Sequence, residues 1–247
     1  MFELGLALVA ARKYEDAHAV LETLYRNGTG ANTLLSLKTL TYLAKVRNKL
    51  GWDDPVIDMS ENAARYHSLV PGNQRLSGLT LMRIAYDAAC VSLGESDELS
   101  HLCALELGVC LLDQNLVDEA VAHLVTSHSA AERALGGSHA VCIEMHWRIA
   151  QSIYKQHFFG GNDSRDLLMI SISGLVKVFA WATNTLGIEH PTTLDIWASL
   201  QLCFEEQLDW TLDDIPRDFV EFFDEIPRPP GHKVFWKYPR GHEASGL

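Results

Sequence analysis

One register recurs three times along this chain: Leu93-Gly94 followed by Gln114, Leu135-Gly136 followed by Gln156, and Leu186-Gly187 followed by Gln207. Both the Leu-Gly pairs and the glutamines are spaced 42 and then 51 residues apart. Between each Leu-Gly and its glutamine lies a helix-length apolar segment, and in the first two copies a second one follows the glutamine. A unit of two short helices cannot bury its apolar face alone, so it must stack on copies of itself. The spacing therefore predicts an all-α chain of stacked helical hairpins.

The clearest unit begins at Leu93. Over residues 98–112, Leu99, Leu102, Cys103, Leu107, Cys110 and Leu111 recur at three- and four-residue steps, the stripe of a half-buried helix. Asp113-Gln114-Asn115 makes the turn, and a second helix from Val117 brings Ala120, Val121, Leu124 and Val125 against the first. Gly136 is expected to end that helix in the left-handed conformation. The next unit carries Val141, Cys142, Met145, Ile149 and Ile153, then a loop insert at 160–165 that opens with Gly160-Gly161-Asn162-Asp163-Ser164 and accounts for the longer period. Its second helix, 165–186, is apolar almost throughout and is expected to be buried on all sides.

Earlier copies align less regularly. Leu4-Gly5 precedes Lys13-Tyr14-Glu15-Asp16-Ala17 as Leu107-Gly108 precedes Leu116-Val117-Asp118-Glu119-Ala120, and Leu43-Ala44 precedes Gly51 in the same way. From Leu43 to Leu107 is 64 residues, so residues 54–92 hold an extra helix, either 54–69 or the one over 74–93. The last copy opens at His190-Pro191, with proline suited to a first helical turn. The stack thus covers 1–209. Residues 210–247, with Phe219, Phe222, Phe223 and a basic, aromatic end, form a C-terminal tail that caps the last hairpin, docks a partner or occupies the binding groove as an internal inhibitor.

Composition narrows the function. A net charge of −12 disfavours nucleic acid as a partner. No apolar run reaches the roughly 18 residues of a membrane span. Five cysteines stand singly in apolar stretches with no C-x-x-C pair, which predicts buried reduced thiols and a cytoplasmic chain. His139, Cys142 and His146 share one helix face and would ligate zinc if a fourth ligand joined them, but the ordinary reading is a core cysteine between two helix histidines. There is no G-x-S-x-G elbow, phosphate loop or distinctive carboxylate pair, so no enzyme activity and no cofactor is expected.

Leu186-Gly187-Ile188-Glu189-His190-Pro191-Thr192-Thr193-Leu194 resembles the opening of a tetratricopeptide repeat of the kinesin light chain type, and Lys13-Tyr14-Glu15-Asp16-Ala17 and Val117-Asp118-Glu119-Ala120 are similar to its turn and second helix. A period longer than the roughly 34 residues of the standard tetratricopeptide repeat agrees with that variant. The likeness implies an α-solenoid, a right-handed superhelix whose first helices line a concave groove for a peptide or helix of another protein. Ser138-His139-Ala140 and Ser96-Asp97-Glu98 depart from the family's His-Pro, so no cargo contact carries over.

If first helices face the groove, His101, Glu106, Arg148, Gln151, Asp195 and Ser199 are its contact candidates, with Glu106, Arg148 and Ser199 in register. Against this stands a plain solvated face with small ion-pair gains. The expected function is a protein-binding scaffold or adaptor with a protein or peptide partner, weakly expected to be basic. The alternatives are an accessory subunit acting through its convex face or tail, and, from another class, a metal-dependent enzyme. The apolar Phe2, Leu4, Leu6 and Leu8 would need cover from a larger assembly or a second copy.

Overall fold

The structure is a computed structural model that describes residues 1–27, 34–51, 77–159 and 165–205, together with Pro229. Among these residues every regular element is an α-helix, and they fall into two compact units. The first, Met1–Gly136, holds α1 (Phe2–Ala10), α2 (Tyr14–Asn27), α3 (Leu34–Lys49), α4 (Gly78–Leu93), α5 (Glu98–Asp113) and α6 (Val117–Leu135). The second, Gly137–Leu247, holds α7 (Ala140–Phe159), α8 (Arg165–Thr185) and α9 (Pro191–Glu205). Within each unit consecutive helices pack on one another, and alternate helices touch as well: α1 on α3 and α3 on α5 in the first, α7 on α9 in the second.

The repeat is written in the turns. Gly94, Gly136 and Gly187 have φ of 93°, 87° and 94°. With ψ of 158° and 147° at the first two, this is extended backbone at positive φ, open essentially to glycine alone, rather than the left-handed helix end expected from the sequence. A Cβ would meet nothing within 4 Å at any of the three, so conformation and not crowding requires glycine there. Three residues beyond each glycine a side chain caps the next helix. Asp97 Oδ1 accepts from Leu99 N at 2.9 Å, His139 Nδ1 from Val141 N at 3.3 Å, and His190 Nδ1 from Thr192 N at 3.2 Å.

A second turn type joins α1 to α2 and α5 to α6, and a residue of similar φ follows α3. Arg12, Gly51 and Asn115 sit at φ of 56°, 64° and 60°. Around Arg12, Lys13 N donates to Leu8 O at 2.9 Å, and around Asn115 the equivalent Leu116 N donates to Leu111 O at 2.9 Å. Close helix crossings recur in the same register. A Cβ on Gly5 of α1 would lie 2.7 Å from the Leu21 side chain of α2, and one on Gly108 of α5 would lie 2.3 Å from Leu124 of α6. The pairs Leu4-Gly5 and Leu107-Gly108 are therefore crossing points that seat a leucine sixteen residues on. Gly78 is as tight and less forgiving, because its Cβ would meet the Asn48 backbone nitrogen at 2.3 Å, which no side-chain rotation relieves.

Several sequence expectations need correction. Val125, placed on the inner face of its helix, is exposed. Helix α8 is not covered all round: Leu168, Ile172, Leu175, Val176, Val178 and Phe179 are buried, while Ile170 and Trp181 are 54% and 39% exposed. Asp166–Thr185 is also long and apolar enough, by length and composition alone, to cross a membrane, because the stretch tolerates Lys177 within it. Its inner side joins a core with Ile143, Trp147, Ile196, Trp197 and Leu200, in which the Phe179 and Trp197 rings lie 5.0 Å apart. Helix α4, the 74–93 candidate, packs between α3 and α5. The other candidate at 54–69, the insert at 160–164 and, Pro229 apart, the tail at 210–247 lie outside the described residues.

Candidate functional site

The six residues singled out from the sequence divide between the two units. In the first, Glu106 of α5 is nearly buried and its carboxylate is paired with the ammonium of Lys45 on α3. That pair is one rung of a polar seam between α3 and α5. Above it the Thr41 hydroxyl lies 3.3 Å from Cys103 Sγ. Below it Asn48 Nδ2 and Lys49 Nζ both donate to Asp113 Oδ2, at 2.7 and 2.6 Å, and Gln114 Nε2 donates to Asn48 Oδ1 at 3.3 Å. Sequence order alone gives no sign of Lys45, which stands 61 residues from its partner. His101 is also on α5 and is buried.

In the second unit Arg148, Gln151 and Ser199 come together, joined by a residue the sequence reading passed over, Trp147. Trp147 Nε1 and Gln151 Nε2 each donate to Ser199 Oγ at 3.0 Å, and the Ser199 hydroxyl donates back to Asp195 O at 2.9 Å. The hydroxyl is thereby saturated, with its one hydrogen and both lone pairs engaged. Arg148 lies with its guanidinium carbon 3.9 Å from the centroid of the Trp147 ring, donates from Nη1 to Gln151 Oε1 at 3.1 Å, and reaches Glu144 Oε1 at 3.4 Å. Stacking on the indole and two flanking acceptors fix a side chain that is otherwise long and mobile. It keeps 24% of its side-chain surface in solvent, and Asp195 of α9 is exposed. Trp147 could have been found from the repeat, since it stands 52 residues from Ser199, one more than the longer period.

The three zinc candidates are employed separately. His139 caps α7, Cys142 is fully buried, and His146 packs edge to face on Trp181 of α8 with centroids 5.3 Å apart. Among the described residues no group of three or more ligating side chains could hold a metal ion. All five cysteines are free thiols, and all but Cys90 are buried. Burial pushes Cys103 up to about 11 and Cys110 up to about 12, so both stay protonated and non-nucleophilic at neutral pH. Burial also lowers His123, whose Nε2 lies 2.8 Å from Ala104 O, and keeps it neutral.

The α3–α5 seam and the α7–α9 seam each carry a bonded polar face, charged in the first and mostly neutral in the second. No protein-family model matches the chain. No curated protein matches its sequence either.

Proposed function

We propose that the chain is a tetratricopeptide-like α-solenoid of the kinesin light chain repeat type, working as a protein–protein interaction scaffold. The observation that carries this reading is the contact between alternate helices, α1 with α3, α3 with α5 and α7 with α9. In each unit it sets first helices side by side, so that register positions on successive helices share one face. The recurring glycine turns and the leucine-on-glycine crossings support the same reading, because a repeat that keeps its backbone devices keeps its packing.

The partner is a peptide segment or helix laid along that face, held by apolar contact and oriented by a few polar groups. In the second unit these groups are Arg148, Gln151 and Asp195, with Ser199 holding the others in place. In the first unit Glu106 is engaged with Lys45 and contributes through that pair. The overall charge of −12 favours a basic partner segment.

The test is affinity capture from native cell extract with the whole chain, beside an Arg148→Glu variant shown by circular dichroism to be folded. Bound proteins are read by mass spectrometry. A partner held by the first and lost by the second supports the face as the working site. A partner held by both moves the site elsewhere on the chain, and no partner at all counts against the scaffold reading.

A further inference from the structure

We draw no further inference here: the strongest candidate, the apolar groove of about 420 Å³ between α7 and α8 that is walled by Ile149, Ile153, Met169 and Ile170 with Lys177 at one end, carries nothing because nothing in the structure shows what covers it.

Discussion

The α3–α5 and α7–α9 seams solve the same packing problem with different chemistry. Each joins two helices that are not neighbours in sequence. The first seam is held by charges: Lys45 with Glu106, and Lys49 and Asn48 with Asp113. The second is held by an indole whose body lies in the core and whose Nε1–H reaches the Ser199 hydroxyl. Charged rungs contribute little where water reaches them and are costly to break where it does not. An aromatic anchor contributes through buried area and loses most when removed. The difference teaches where each unit is vulnerable, and it yields an order of expected damage.

Trp147→Ala should do the most. The side chain is 5% exposed and stands among Ile143, Leu168 and Trp197, so its loss leaves a large cavity, takes one donor from Ser199 Oγ and removes the ring under Arg148. A cost of about 3–5 kcal/mol is expected. Hydrogen exchange read by mass spectrometry should show lost protection in α7, α8 and α9 with little change in α3 and α5. Equal loss in both units would mean that the two seams do not belong to separable units.

Glu106→Ala attacks the first seam. Breaking a fully buried ion pair costs about 3–5 kcal/mol. Here the Lys45 side chain keeps 33% of its surface in solvent and can turn its ammonium to water. About 2 kcal/mol is therefore expected, seen in urea unfolding and as lost protection in α3 and α5. The double variant Lys45→Met/Glu106→Leu should recover most of it, because it removes both charges and leaves no buried charge alone. A double variant as unstable as the single one would show that the pair is needed for something other than mutual neutralisation.

Ser199→Ala should cost less, about 1–2 kcal/mol, through two donors left without their acceptor. The structure supplies a further readout, since Gln151 also holds Arg148. Loosening Gln151 should free Arg148 from the Trp147 ring, and the side-chain NMR signals of the guanidinium should lose the upfield shift that stacking imposes. An unchanged Arg148 signal would show that the ring alone fixes the arginine.

How much of this could be read from the sequence follows from the range of each interaction. Helix periods, glycine turns and caps are set by residues within one turn of each other, so α5 and α6 begin and end where Leu99, Val117 and Gly136 imply. Even there the backbone at Gly136 was misassigned, because a glycine signals positive φ without saying which ψ accompanies it. The exposure of Val125 and Ile170 was illegible for another reason: an apolar pattern marks a face fit for burial, and only the neighbours decide whether it is covered. The seam partners were hidden by distance. Lys45 and Glu106 are 61 residues apart and out of register by three, and the register that grouped Glu106 with Arg148 gave no means of pairing either one. It did relate Arg148 to Ser199, and the structure joins those two through Trp147 and Gln151.

The smallest effect sharpens the comparison most, because it depends on charge alone. Between roughly 0.01 M and 1 M salt the screening length falls from about 30 Å to about 3 Å. Lys49 and Asp113 keep 36% and 33% of their side-chain surface in solvent, so their attraction should be largely screened, while the less exposed Lys45–Glu106 pair should respond less. In the second seam the hydrogen bonds to Ser199 are between neutral groups and have no charge to screen. Protection in α3 and α5 should then fall by a few tenths of a kcal/mol relative to α7 and α9 as salt is raised. The Asp113→Asn variant should abolish most of that difference while keeping an acceptor for Asn48. A salt response of equal size in both units would show that the ion pairs of the first seam are not what distinguishes it.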